Sequence, residues 1–395
     1  MGDSETGAQL LAAEAARRAA LPDVQYEHTG GVIDLTWGHP DPSTLATGAV
    51  AEATAAVLGS HGWQSLTYGA PCGGGYVREA VAQLLTRTDA PVEGRNVIIM
   101  GGSSGGLDVL LTVLAVPGDV VFVEQPTYFL ALRMFADHGL RVIGLVSDAL
   151  GPSTDEFARR AALAVADGRR AFLYLVPTFA NPTGRCLPVQ RQLELLDAAR
   201  RHGVHVIEDD VYRDTSVVAP ASMWSHDRDT VLRLGSFSKS LSPGLRVGYL
   251  TAGAELVERL GGCGLLDSGG GVNHFAAMVV GELLHSGRFA QIADAASLRY
   301  ARRRAALAAA LDPRLFEFSV PDGGYFLWLG LPPGVSSARA VAAAQANGVL
   351  VAGARSFFVD EPDGGFLRLS FSMLDETGLV DGAARLNEAV AALVG

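Results

Sequence analysis

Of the 31 basic side chains in this sequence 30 are arginines, and Lys239 is the only lysine. Arginine replaces lysine as a surface cation, but its delocalised guanidinium cannot form an imine, so the surviving lysine marks a task that needs a nucleophilic amine. It sits in Gly235-Ser236-Phe237-Ser238-Lys239-Ser240-Leu241-Ser242-Pro243-Gly244-Leu245-Arg246. The hydroxyls of Ser236 and Ser238 and the guanidinium of Arg246 can gather around one phosphate, with Arg246 as the bidentate partner. The plain alternative is a solvated Ser/Lys loop.

Other segments carry groups suited to the same chemistry. Gly101-Gly102-Ser103-Ser104-Gly105-Gly106 follows a strand and opens a helix, so its amides and hydroxyls can face an anion. It lacks dinucleotide or Walker spacing, and alone it reads equally well as a tight connection. Glu208-Asp209-Asp210-Val211-Tyr212 ends another strand, where a carboxylate can hold a proton on a neighbouring basic group by its opposite charge. Three acids in a row also suit a divalent metal. Tyr128, in Glu124-Gln125-Pro126-Thr127-Tyr128, can lie flat on an aromatic ring or be a half-buried packing residue. Asn181, in Ala180-Asn181-Pro182-Thr183-Gly184, is by itself a turn signal. Arg368 lies among apolar neighbours in Phe366-Leu367-Arg368-Leu369, and a buried arginine needs an anion, either a structural ion pair or a ligand.

The elements that must position these groups are legible as periodicity. Short β-branched runs recur at 97–100, 120–124, 141–146, 171–176, 204–208, 231–234 and 247–250. Helical-period stretches separate most of them, at 106–114, 127–138, 155–166 and 188–202. That alternation predicts an α/β domain with a mostly parallel seven-stranded sheet covered on both faces. From Asn273 the pattern changes to Ala/Arg/Leu helices at 273–286 and 288–311, then a strand at 324–329, a helix at 337–347, a strand at 367–372 and a helix at 376–394. The expected division is an N-terminal arm over 1–45, with an amphipathic helix near Gln9 to Ala20, a large domain over 46–272 and a small α+β domain over 273–395 that the arm joins.

Bulk properties exclude several classes. A formal charge of −11 disfavours nucleic acid and anionic membranes as partners. No apolar run is long enough for a membrane span or suited to secretion, so the expected location is the cytoplasm. Cys72, Cys186 and Cys263 are too few and too far apart for a disulfide framework or a zinc site, and no metal is expected.

The Ser-Phe-Ser-Lys-x-x-x-Pro-Gly-Leu-Arg-x-Gly-Tyr run around Lys239 resembles the cofactor-lysine motif of the fold-type I, class I/II pyridoxal-phosphate-dependent aminotransferases. The likeness is strongest to their 2-aminoadipate aminotransferase and MocR-like branch, and it extends from about Ile33 to Leu393 with the motifs in the family's order. It implies a pyridoxal 5'-phosphate cofactor joined to Lys239 as a Schiff base. By the same resemblance Gly102, Ser103, Ser104, Ser236, Ser238 and Arg246 hold the cofactor's phosphate, and Tyr128 stacks on its ring. Asp209 pairs with the ring nitrogen, and Asn181 and Tyr212 bond the 3′ oxygen. Arg368 forks the substrate's α-carboxylate, which Asn181 and Gly38, in Thr36-Trp37-Gly38-His39-Pro40, also approach. Tyr68, in Thr67-Tyr68-Gly69-Ala70-Pro71, matches the tyrosine that reaches the neighbouring subunit's phosphate, which implies a homodimer with composite sites. Glu208 and Asp210 are expected to be structural or solvent-facing, and Asn273 and His274 to form a junction loop. Trp37, Trp63, Phe179 and Phe357 are candidates to line a side-chain pocket.

The expected activity is transamination of a small-molecule amino acid, with Lys239, Asp209 and Tyr212 as the catalytic set. The same groups also serve C–S β-elimination and oxygen-dependent decarboxylating deamination, as in some relatives in natural-product pathways. Ala180 stands where many members of the branch carry Gln, which leaves more space beside the ring. MocR-like regulators use this fold behind a DNA-binding domain. Only about 30 residues precede the domain here, without a helix-turn-helix pattern and with an acidic overall charge, so an enzyme is expected.

Overall fold

Seven runs of apolar, largely β-branched residues become one sheet. In the computed structural model, which describes residues 31–269 and 271–394, they are β1 (Val97–Met100), β2 (Val120–Glu124), β3 (Arg141–Leu145), β4 (Ala171–Leu175), β5 (His205–Asp209), β6 (Val231–Ser236) and β7 (Gly248–Thr251). The order is β1-β7-β6-β5-β4-β2-β3. Strand β7 is antiparallel to both neighbours, and every other pair is parallel. Every residue of β1, β4 and β6 is buried, as a strand covered on both faces requires. The register sets Gly248 beside both Met100 and Ser236. The carboxyl ends of β1, β2, β4, β5 and β6 and the amino end of β7 therefore share one edge, the side on which open α/β sheets bind ligands.

A second, antiparallel sheet of order β8-β10-β9 is built from β8 (Phe326–Gly330), β9 (Ala352–Gly353) and β10 (Phe366–Ser370). Helices Ser337–Ala346 and Glu376–Val394 pack together beside it, and the long helix Arg288–Ala310 lies against Glu376–Val394. Leu35 is pinned to this part of the chain, its N–H on Leu350 O at 2.9 Å and its carbonyl accepting from Ser370 N at 2.8 Å. Helix His274–His285 starts at Asn273, whose side chain accepts from Ala276 N at 2.9 Å, and packs on helices Thr47–His61 and Gly75–Thr88. The helix expected near Gln9 to Ala20 lies outside the described residues. No helix among the described residues is long and apolar enough to cross a membrane.

The acids flanking Asp209 are structural, and neither faces solvent. Glu208 accepts the N–H groups of Met223 and Trp224, both at 2.9 Å, and so caps the short helix Met223–His226. Asp210 accepts from Arg213 at 2.6 Å and from Arg233 at 2.8 Å, and Arg233 reaches on to Asp89 at 2.9 Å. Arg233 is fully buried. Replacing it by alanine leaves two buried carboxylates short of a cation, and we expect a loss of about 3–5 kcal/mol in urea unfolding at neutral pH.

Candidate active site

After β6 the chain turns sharply. Phe237 plugs into the core, and the amides of Leu241 and Ser242 both bond to its carbonyl, at 2.9 and 3.1 Å. The turn carries Ser238 and Lys239 out over the sheet edge. Lys239 Nζ donates to Gly38 O at 2.9 Å, with the rings of Tyr325 and Tyr212 centred 5.6 and 5.9 Å away. Burial lowers the amine's pKa to about 8; the Asp209 carboxylate works against this, and the Arg368 and Arg246 cations reinforce it.

A cup for an anion lies beside the lysine. The first-turn amides of helix Gly102–Leu114 have no intrahelical acceptor, so Ser103 and Ser104 present free N–H groups at its positive end. Gly102 has φ +80°, and a Cβ there would come within 2.5 Å of Arg246 Nη2, so only glycine lets the guanidinium close on the turn. Arg246 bonds Gly101 O at 3.2 Å and Ser238 Oγ at 3.3 Å, and among the described residues it has no carboxylate partner. Ser236 and Ser238 are buried, with Ser238 N donating to Ser236 Oγ at 3.2 Å.

Asp209 ends β5 facing the same space. Its Oδ2 accepts from the Tyr174 hydroxyl at 2.6 Å, while its Oδ1 is buried without a partner. Burial raises the carboxyl's pKa to about 6, against the Tyr174 bond and the nearby Lys239. Among the described residues no cluster of His, Cys, Asp or Glu is arranged to hold a metal. The hydroxyl of Tyr128 is pushed up to about 12, first by burial and then by the Asp209 charge, so that ring belongs to the same space.

Arg368 projects from β10. Its guanidinium lies 4.1 Å from the ring centre of Phe326 and 4.9 Å from that of Phe357. It donates to Asn181 Oδ1 at 2.9 Å and to the Thr36 carbonyl, and its Nε is buried without a partner. No carboxylate among the described residues pairs with it, which sets aside the structural ion pair. Burial lowers its pKa to about 10. A cation this bare calls for an anion from outside the chain. Asn181 also bonds the Tyr212 hydroxyl, which burial holds well above the usual tyrosine range. The Asn181 turn is clamped to the second sheet at Gly184, where φ is +70° and a Cβ would strike Pro321 and the Phe326 carbonyl.

Most of the expected site residues thus meet at one sheet edge, and Tyr68 does not. It is 84% exposed, and Trp63 at 75% and Leu66 at 66% precede it in the same short segment. Asn273 and His274 open a helix rather than form a junction loop, and His274 bonds Gln64 O at 3.1 Å, tying that helix start to the turn at Gly62–Leu66. Of the pocket candidates, Phe357 packs on Arg368, Phe179 lies under Gly323, Trp37 neighbours the His39 ring at 5.0 Å and Trp63 is exposed. Sequence reasoning missed Tyr174, Tyr300 and Tyr325. For Tyr174 and Tyr325 the available signal was a tyrosine in a run of buried residues, and for Tyr300 a tyrosine on the apolar face of a helix; in each case a buried hydroxyl must find a partner.

A buried lysine on a strand-end turn and a mostly parallel seven-stranded sheet are the features of a pyridoxal-phosphate-dependent enzyme of fold type I. The chain belongs to the aminotransferase class I and II family, whose sequence profile matches residues 31–386. It is 31% identical to a 2-aminoadipate transaminase of Thermus thermophilus, over 92% of this chain and 91% of that one. It is 29% identical to aromatic-amino-acid aminotransferase 1 of Thermococcus litoralis, over 92% and 88% of the two chains. The crystal structure of an alpha-aminoadipate aminotransferase from Thermus thermophilus, complexed with N-(5'-phosphopyridoxyl)-L-leucine, superposes with a TM-score of 0.81 at 31% identity, covering 92% of this chain and 93% of that one. The protein is a pyridoxal-phosphate-dependent aminotransferase of class I/II.

Proposed function

We propose that this enzyme transaminates an amino acid using pyridoxal 5'-phosphate bound through Lys239. The residues present fit that group: an amine for its aldehyde, a cup without a counter-anion for its phosphate, and in Asp209 Oδ1 a buried oxygen waiting for a donor. Gly102, Ser103, Ser104, Ser236, Ser238 and Arg246 hold the phosphate. Tyr128 would cover one ring face, Asp209 would take the ring nitrogen, and Asn181 and Tyr212 would bond the 3′ oxygen. When bound, the cofactor supplies an aldehyde carbon that exchanges amines and a ring that draws electrons from the substrate's Cα. Asp209 keeps the ring nitrogen protonated. Lys239, once free, takes the proton from Cα, and an amine near pKa 8 is suited to the exchange at neutral pH.

The observation that carries the amino-acid reading is Arg368, a buried guanidinium with aromatic faces around it and no carboxylate of its own. It receives the α-carboxylate, with Gly38 and Asn181 alongside. Arg368→Leu should reduce kcat/KM by about 10- to 150-fold, the range of a charge-assisted hydrogen bond, with most of the loss in KM. The absorbance midpoint of the bound cofactor should move up, because a cation that disfavours the protonated nitrogen of Lys239 has been removed.

The exposure of Trp63, Leu66 and Tyr68 within one short segment favours a homodimer in which Tyr68 would bond the phosphate held by the other copy. The acidic net charge fits a cytoplasmic enzyme that handles small molecules without nucleic acid or membrane. The test is a panel of amino acids added without keto acid, following the cofactor's absorbance, keto acid and ammonia. Stoichiometric conversion of the cofactor to its amine form, reversed by a keto acid, supports transamination. Ammonia accumulating over many turnovers would show a lyase or an oxidative deaminase instead.

A further inference from the structure

The main-chain carbonyl of Lys239 sits in a turn whose amides go elsewhere, since Leu241 N and Ser242 N both close on Phe237 O. Two tyrosine hydroxyls take it instead. Tyr325 donates to Lys239 O at 2.6 Å, Tyr300 stands at 3.4 Å, and the two hydroxyls are 3.0 Å apart. Tyr325 is 0% exposed and Tyr300 is 2% exposed. They come from different elements, Tyr300 from the middle of helix Arg288–Ala310 and Tyr325 from the residue before β8.

Tyr325 is itself held rigidly. Its carbonyl accepts from Phe371 N at 2.9 Å, and the preceding Gly324 N donates to Thr215 Oγ1 at 2.8 Å. It also touches the lysine at both ends. While its hydroxyl holds the main chain, its ring is centred 5.6 Å from Nζ, within the range in which an ammonium is attracted to an aromatic face. The Gly38 carbonyl, 2.9 Å from Nζ, completes the resting place of the amine.

A lysine that leaves and retakes a cofactor in each half-reaction swings a side chain with four rotatable bonds. The accuracy of that swing depends on the backbone it starts from, and misplacement by a fraction of an ångström costs rate. We propose that Tyr325, backed by Tyr300, is a positioning residue for the reaction. The paired hydroxyls fix the Lys239 main chain, and the Tyr325 face with the Gly38 carbonyl receives the amine while it is free. This rests on the reading that Lys239 is the cofactor lysine.

The test compares Tyr325→Phe, Tyr300→Phe and the double variant with the wild-type holoenzyme. Measured are kcat, KM, the pH midpoint of the bound cofactor's absorbance, and the peptide labelled after borohydride reduction. Removing the Tyr325 hydroxyl alone should lower kcat about threefold to tenfold, the effect of one hydrogen bond, and move the absorbance midpoint while KM stays near its wild-type value. The double variant should lose more. A purely structural role would lower Tm and leave kcat and midpoint at their wild-type values, and that result overturns the proposal. If the double variant does not fold, the isosteric Tyr325→Phe enzyme decides by the same two readouts. Borohydride label on a wild-type peptide without Lys239 would sink the underlying reading, and the tyrosine proposal with it. Label on Lys239 with unaffected variants overturns the tyrosine proposal alone.

Discussion

A Lys239→Arg enzyme is expected to fold, to take phosphate into its cup and to turn over at about 10⁻⁴ of the wild-type rate or less, the loss of a general base that is also the nucleophile. Arginine preserves the cation against the Gly38 carbonyl and the Tyr212 and Tyr325 faces, so a loss of charge cannot explain the defect. What disappears is an amine that attacks a carbonyl and that sheds a proton near neutral pH. The chain has no second lysine to act as a surrogate, so borohydride should fix label in wild type and leave none on any lysine in the variant. The pH dependence has a definite sign. Burial lowers the Lys239 pKa to about 8, and the neutral amine is the working form. Imine formation between the cofactor-free protein and an added aldehyde should therefore fall about tenfold per unit below pH 8 and level off above it. Residual turnover of a few per cent in Lys239→Arg would remove the lysine from the mechanism.

That lysine was conspicuous because arginine occupies every other basic position, and most of the strands were legible for an equally physical reason. Runs such as Val97–Met100 and Val120–Glu124 are apolar on both faces because helices cover both sides of the sheet, and Gly, Asp or Pro marks their ends. Their order in the sheet is not written locally. The placement of β7 between β1 and β6, which brings the Gly102 turn against Arg246, is decided by tertiary packing. Tyr174 and Tyr325 escaped attention for the same reason. Each reads as an ordinary core aromatic, and its partner lies 35 or 86 residues away in the chain. Glu208 and Asp210 show the converse. Three adjacent acids invite a solvent-facing or metal-binding reading, yet a helix N-terminus fifteen residues on, the neighbouring Arg213 and Arg233 from the next strand bury them.

Asp209→Asn should stabilise the cofactor-free protein and disable the enzyme. The carboxyl is buried with Oδ1 unpartnered, and its folded pKa is raised from 3.8 to about 6. A raised carboxyl pKa means that the folded state prefers the protonated form. Its contribution to stability is complete below the unfolded value and is lost as pH rises through about 6. Above that the ionised side chain costs on the order of 3 kcal/mol, the free energy of a shift of about two units. Asparagine does not ionise, and its Oδ1 can still accept from Tyr174. The variant apoprotein should melt higher than wild type at pH 7.5, with the difference closing near pH 4. Cofactor reverses the ranking, because a ligand that binds only the folded state stabilises it in proportion to affinity, and the wild-type carboxylate gives a cationic ring nitrogen its counter-charge. Turnover should fall by about 10²- to 10³-fold, the scale of removing one preorganised electrostatic partner. An apoprotein destabilised at pH 7.5 with turnover intact would mean that Asp209 is already satisfied within the chain and takes no part in the chemistry. A gain in stability accompanied by a loss of rate would trace the instability of this active site to one buried oxygen.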